Sequence, residues 1–440
     1  MPVPPAQHER HRLFAVLGVT FGLAVTIGNT IGGGILRTPG IIASELPAFW
    51  PFLAVWVIGG LYAILGANAL AELGTTVPRS GGQYVFVRHA LGDYAGFIVG
   101  WSDWISTCGT TAAVSIVVGE YAIVLFPQLR AIEVIALVVV AVLTVIQWVG
   151  TKWGSAAQNV TSAMKAIVLL LLIGACFWFG GRNPAETAFE ADREGSLLLA
   201  FIISLQAVIY TYDGWSAVIY FSEEVKEAGR NIPKAMFGGI ASVIGIYLLI
   251  NVGFLRVVPL ATIAGEKLAA GVVAQHMFGP SGDLVIRVVM IVALISAVSS
   301  NVLMAPRVLF AMASDGLFWR GAREVNKGGT PDIALLISSI LAAAFIVSGT
   351  FENVIAKLAF FFVANYTLSF ASLFVLRRRE PDVVRPFRAW GHPFTTGLAV
   401  VASIAFLIGA VIGDRENSLW ALGILCVSFP VYLLVRPRKS

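Results

Sequence analysis

Gly28-Asn29-Thr30-Ile31-Gly32-Gly33-Gly34 interrupts an apolar run that extends over residues 13 to 46. A run of that length exceeds the roughly 20 apolar residues that cross a bilayer as a helix, yet adjacent glycines penalise a helix by about 1 kcal/mol each. The segment therefore reads as a membrane helix broken in its middle. Tyr212-Asp213-Gly214-Trp215 interrupts a second run, 197 to 222, in the same way. Glycines in membrane helices commonly serve close packing. Two breaks at matching positions favour a binding site instead.

The rest of the chain agrees with a bilayer as solvent. Of 440 residues, 58% are hydrophobic and 12% charged, whereas a soluble domain carries roughly 25% charged residues. Such a chain has too little polar surface to cover a water-soluble globule. Counting about 20 residues per crossing gives twelve spans, at 13 to 46, 49 to 74, 88 to 126, 131 to 150, 157 to 181, 197 to 222, 235 to 259, 283 to 313, 332 to 349, 352 to 376, 394 to 413 and 417 to 435. Residues 1 to 12 and 436 to 440 are left as tails. No cleavable signal peptide is visible before the first span.

The net charge of +5 is unevenly placed. With the N-terminus inside, one face collects Arg79, Arg88, Lys152, Lys226, Arg230, Lys234, Arg320, Arg323, Lys327, Arg377, Arg378, Arg379, Arg385 and Arg388, then Arg436, Arg438 and Lys439 in the tail. The other face holds mainly Arg130, Arg182, Arg193, Lys267 and Arg415. The positive-inside rule then puts both termini in the cytoplasm, and the basic excess needs no nucleic-acid partner. Cys108, Cys176 and Cys426 lie in apolar runs without metal-ligand spacing, and the five histidines are scattered. Neither a metal, a cofactor nor an enzyme is expected. No loop is long enough for a soluble domain, so function lies between the helices.

Five spans precede the second broken one. Residues 13 to 181 and 197 to 376 thus form two five-helix halves, the second inverted because five is odd, and 394 to 435 add two more helices. A broken helix exposes N–H groups at the start of its second half and C=O groups at the end of its first. The amides of Gly33, Gly34 and Ile35 are suited to a carboxylate at a positive helix end. Carbonyls of Thr26 to Asn29, Tyr210 and Thr211 are suited to an ammonium group. Thr30, Gly32 and Gly214 belong to the same two breaks.

These motifs carry a resemblance. Thr30-Ile31-Gly32-Gly33-Gly34-Ile35 is similar to the broken first helix of the amino acid-polyamine-organocation (APC) permeases. Ala71-Glu72-Leu73-Gly74 with Pro78-Arg79-Ser80-Gly81-Gly82-Gln83-Tyr84 resembles their second-to-third helix connection. Tyr212-Asp213-Gly214-Trp215 through Glu223-Glu224-Val225 to Asn231-Ile232-Pro233 resembles their sixth-helix segment, and Arg307 to Gly316 the end of their eighth. Together the motifs span most of the chain in the family's order. The resemblance implies an all-α integral membrane protein of LeuT type, with twelve transmembrane helices, helices 1 and 6 broken, and alternating access. Two departures stand out. Gly33 takes a place where serine is common, and Glu227-Ala228-Gly229-Arg230 lacks a proline often found there.

Lys165 stands about 10 Å into the fifth span if that span starts near Gln158, where a charge is costly. It is read either as snorkelling to the interface or, by the resemblance, as the ammonium that replaces a sodium ion in some APC members, bridging the first break to Ser299 and Ser300 on the eighth span. The second reading disfavours sodium coupling and leaves exchange or proton coupling. Asp213 is open to three roles: substrate contact, proton acceptor or helix cap. Tyr210 matches the family's aromatic gate or simply packs, and Asn301 falls by spacing on a pocket-facing position. Glu120 reads as a vestibule residue, and Arg307 and Asp315 as inner-face residues capable of gate pairing.

The expected function is a plasma-membrane permease for amino acids, neutral L-amino acids first and cationic amino acids or polyamines as the alternative. A non-transporting receptor and a membrane enzyme are the rivals from other classes. The Phe126-Pro127-Gln128-Leu129-Arg130-Ala131-Ile132 connection contains no cysteine, so no disulfide-linked heavy chain is expected.

Overall fold

A computed structural model describes residues 13–129, 131–181, 197–348, 351–413 and 415–435. Both tails, as well as Arg130, Arg182 and Arg193, lie outside the described residues. The chain is helical throughout these parts: α1 Val19–Thr30, α2 Gly34–Glu45, α3 Phe49–Thr76, α4 Gln83–Leu91, α5 Asp93–Leu125, α6 Ile132–Val149, α7 Thr151–Phe179 and α8 Leu197–Tyr212. Then follow α9 Ala228–Val257, α10 Leu260–Ile263, α11 Ala269–Phe278, α12 Gly282–Ser314, α13 Asp332–Ser348, α14 Phe351–Arg379, α15 Phe394–Gly413 and α16 Arg415–Val435. The described residues include no β-strand, only one parallel bridge between Leu17 and Val225.

Eight helical stretches among the described residues are long and apolar enough to cross a membrane, and the bent α1–α2 pair makes a ninth. The α13 helix and the 419–435 part of α16 are apolar but shorter. Burial separates centre from periphery: α5 and α12 are the most enclosed spans, α6 and α15 the least. Val138, Val142 and Val145 of α6, and Val401, Ile404 and Ile408 of α15, point outward. In water these rows would be a liability; against lipid chains they carry no such penalty.

The first break is where the glycines place it. The α1 and α2 axes meet at 43° across Ile31–Gly33. The second differs from expectation, because α8 stops at Tyr212 and the chain continues as a 3₁₀ turn, Ala217–Phe221, rather than as a second α-helical half. Gly214 occupies φ +101°, a region that L side chains rarely adopt, and a Cβ there would lie 2.9 Å from the Asn29 carbonyl carbon. The two breaks therefore touch, and a glycine is what lets them.

Three boundaries also move. The third span divides at Gly92 (φ +92°) into α4 and α5. The α9 helix begins at Ala228, straight after Glu227 in a left-handed conformation (φ 47°). The α7 helix begins at Thr151 after Gly150 (φ +151°), which places Lys165 about 21 Å along its axis at 1.5 Å per residue rather than about 10 Å. It is a mid-helix residue. The short helices α10 and α11 were not expected from the sequence.

Candidate functional site

Where α1 ends, its last carbonyls have no partner within the helix. Lys165 supplies one: fully buried, it donates from Nζ to the Gly28 carbonyl at 2.6 Å and also to the Ile31 carbonyl. Tyr247 of α9, itself buried, places its hydroxyl 2.9 Å from the Thr30 carbonyl and 2.9 Å from the Thr211 carbonyl. One phenol thus spans the ends of both interrupted helices. Thr38 on α2 reaches across to Thr211 on α8, with their hydroxyls 2.8 Å apart.

The fifth and eighth spans are joined differently from expectation. Ser300 accepts from Gln158 at 2.8 Å and Ser299 from Gln147 at 3.5 Å; Ser162 bridges the Ala24 carbonyl (2.7 Å) and Ser296 (3.1 Å). Gln158 and Ser162 stand two turns and one turn from Lys165 on the same face of α7. They make the tie to α12, while the lysine is spent on the α1 carbonyls.

A cavity of about 450 Å³ opens beside the two breaks. Of the sequence-derived candidates it is lined by Thr30, Gly32, Gly33, Gly34, Tyr210, Thr211, Asp213, Gly214 and Asn301. The side chain of Ile35, one residue into α2, does not line the cavity and is wholly buried in the apolar cluster with Trp56, Tyr212 and Tyr247; the part expected of this residue is played by its backbone amide. Lys165, Ser299 and Ser300 lie behind the wall rather than in it. Asn301 donates to the Ala297 carbonyl of its own helix at 3.0 Å.

Four residues not singled out from the sequence complete the site. Asp103 on α5, nearly fully buried, lines the cavity and accepts from Tyr220 at 2.7 and 2.9 Å. Asp213 accepts from Tyr366 at 2.8 Å. Among the described residues no lysine, arginine or histidine forms an ion pair with either carboxylate. An ionisable group within a membrane helix was the available signal for Asp103. For Tyr220, Tyr247 and Tyr366 there was none, since a tyrosine in an apolar run usually just packs.

The cavity has a rim and a floor. Arg37, Glu266 and Lys267 stand at the rim, and Arg37 is 4.0 Å from Glu120. The floor is closed by the turn 78–84. Gly81 donates to the Tyr220 carbonyl at 3.2 Å, and a Cβ on Gly82 would sit 2.5 Å from the Tyr220 ring. Below it Arg307 grips Glu224 with two 2.9 Å bonds, both side chains buried. Leu17 pairs with the backbone on either side of Val225, at 2.9 and 2.8 Å.

Comparison with known proteins adds to this geometry. A family model for amino acid permeases matches residues 13–429. The serine/threonine exchanger SteT of Bacillus subtilis is 28% identical over 439 residues, covering 98% of this chain and 99% of that protein. The human b(0,+)-type amino acid transporter 1 is 25% identical over 422 residues, 94% of this chain and 85% of its own. The human large neutral amino acids transporter small subunit 2 is 26% identical over 388 residues, 84% and 71% respectively.

Proposed function

This chain belongs to the amino acid permease family, and on that premise we propose that it is a secondary transporter carrying amino acids across the plasma membrane by alternating access. The observation that carries the reading is the cavity shared by the two breaks. The N-terminus of α2 offers free amides and a positive pole to the substrate carboxylate. Carbonyls at the ends of α1 and α8 offer acceptors to its ammonium group. Such a site takes the part common to all α-amino acids and leaves the side chain to the rest of the cavity.

The reading continues with a LeuT-type arrangement of twelve spans in two inverted five-helix halves, and both termini in the cytoplasm. It is supported by two touching breaks and by the family. Neutral L-amino acids are the first substrate class, consistent with Thr107, Thr110 and Leu294 on the wall. Cationic amino acids or polyamines are the second, favoured by Asp213. Transport runs by exchange or with protons, because the Lys165 ammonium occupies the carbonyl cluster that a sodium ion would need. No disulfide-linked partner is invoked.

Counterflow in proteoliposomes tests the function. Vesicles preloaded with unlabelled amino acid should accumulate labelled amino acid from outside. Binding detected by thermal shift without accumulation would turn the assignment to a receptor.

A further inference from the structure

The walls of the cavity change character along their length. On α5 the lining residues are Asp103, Thr107, Thr110, Val114 and Val117, one helical face about 21 Å long at 1.5 Å per residue. The acid is at the end shared with Tyr220 and the sealed floor, and the valines run toward the mouth. At that mouth the lining charges are mixed, Arg37 and Lys267 with Glu266. The cavity is thus acidic at its floor and mixed in charge at its rim.

The floor acid lacks a cation. Among the described residues the other two fully buried carboxylates, Glu72 and Glu224, are both gripped by arginine, Glu224 by Arg307 and Glu72 by Arg377 and Arg385. Asp103 is about as deeply buried, yet its described hydrogen-bond donor is the neutral phenol of Tyr220. A buried carboxylate without a counter-charge is unfavourable once water is expelled. Farther up the same helix face the Thr110 hydroxyl is buried without a hydrogen-bond partner, a polar atom left for an occupant of the cavity.

From this polarity we propose that the cavity floor is a subsite for a cationic side chain, with the Asp103 carboxylate, held in place by Tyr220, as counter-ion to the side-chain ammonium of a basic amino acid. The assignment rests on the reading above that the breaks hold the α-amino and α-carboxyl groups. The substrate then lies with its carboxylate at the amino end of α2 and its side chain pointing to the acidic floor. Neutral amino acids occupy the upper part, so the carrier takes both classes, and Asp103 sets the preference between them. Asp103 thereby takes the counter-charge role that the reading above gave to Asp213, and Asp213, at the second break and held by Tyr366, is placed beside the α-ammonium.

Counterflow of L-lysine and L-alanine, measured separately in proteoliposomes, tests the proposal. The parent protein should carry both. For Asp103→Asn the ratio of lysine to alanine apparent affinity should fall about tenfold or more, the scale of one charge-assisted hydrogen bond. Tyr220→Phe should shift the same ratio in the same direction by about threefold, and it stands in if Asp103→Asn does not fold. Equal losses for the two substrates, or a parent that carries alanine but not lysine, would overturn the floor subsite and leave amino-acid transport standing. A parent that carries neither would overturn the underlying reading instead. Loss of pH-driven alanine accumulation in Asp103→Asn with the lysine ratio unchanged would reassign the residue to proton coupling and also overturn the proposal.

Discussion

The base of the molecule and the cavity above it treat buried charge in opposite ways. In the base, Glu224 has Arg307, Glu72 has Arg377 and Arg385, and Asp315 has Arg79 and Arg88. Glu72 also accepts from the Ala389 amide, which holds the chain between α14 and α15 against α3. In the cavity, Asp103 is given a phenol, and Asp213 a phenol and the Gly214 backbone amide, with no arginine or lysine paired to either among the described residues. Matched charges close a structure, because each partner satisfies the other without a ligand. Unmatched ones keep a place for something that arrives from outside. The contrast separates residues that hold the inner side shut from residues that meet the substrate, and it can be broken at either end.

The largest effect is expected at the matched end. Arg307→Met strands the Glu224 carboxylate in a buried setting, and removing one partner of such a pair typically costs about 3–5 kcal/mol. Against a typical total stability of about 5–15 kcal/mol, that should lower the melting temperature of the purified protein sharply. Arg307→Met combined with Glu224→Leu should recover much of the loss, since an apolar replacement of both partners leaves no charge unpaired. A single variant as stable as the parent would mean that the pair does not hold the base closed.

Next comes the break itself. A Cβ on Gly34 would lie 3.0 Å from the Thr211 Cγ2 and Oγ1 atoms, so the branched side chain of Gly34→Val must push α2 away from α8 and crowd the amides offered to the substrate. Uptake should fall on the order of 100-fold with insertion and expression intact. Gly245→Ala, where an added Cβ meets nothing within 4 Å, serves as the control. Undiminished uptake by a correctly inserted Gly34→Val protein would remove the first break from the site.

Lys165 lies between the two regimes, a buried cation whose described partners are neutral carbonyls. Lys165→Ala leaves the Gly28 and Ile31 carbonyls without that donor, a loss of about 1–3 kcal/mol, so transport should drop roughly tenfold and lose its exchange or pH response. The parent should need no sodium. Proteoliposomes with equal substrate gradients, varied separately in sodium and pH, distinguish these outcomes. Strict sodium dependence of the parent would contradict the role given to the lysine.

Local features were legible in the sequence, and contacts between distant segments were not. The first break could be read because three consecutive glycines in an apolar run have one dominant consequence, and Lys165 because a charge in such a run stands out. Its depth was misjudged, because only the turn at Gly150 shows that α7 begins at Thr151. Asp103 lies in the early part of the run 88 to 126, where a charge is easily taken for an interfacial one. Contact with Tyr220, 117 positions away, is what makes it a cavity residue. The shared hydroxyl of Tyr247 and the grip of Arg377 on Glu72, 305 positions apart, likewise exist only once the chain is folded. Ile35 shows the converse: the motif offers its amide, and only the fold shows that its side chain packs into the apolar core. Helix α10, four residues long, is too short for hydrophobic periodicity to reveal.

The smallest effect is expected from the outermost member of the base. Arg79 reaches Asp315 at 2.9 Å, but its side chain is 45% exposed, while that of Asp315 is 11% exposed. Arg88 also reaches Asp315, at 3.0 Å, and Tyr84 donates to it at 3.0 Å. Arg79→Ala therefore removes one of three partners and leaves no orphaned carboxylate, unlike Arg307→Met. An exposed pair is worth about 0–1 kcal/mol and is screened by salt, so the shift in melting temperature should be small at low ionic strength and vanish near 1 M salt, where the screening length is about 3 Å. Measuring Arg79→Ala and Arg307→Met side by side across a salt series then tests whether burial, rather than the mere presence of an ion pair, is what seals the base. A large, salt-insensitive loss for Arg79→Ala would mean that the whole charged base acts as one unit and that the outer pairs share in holding it closed.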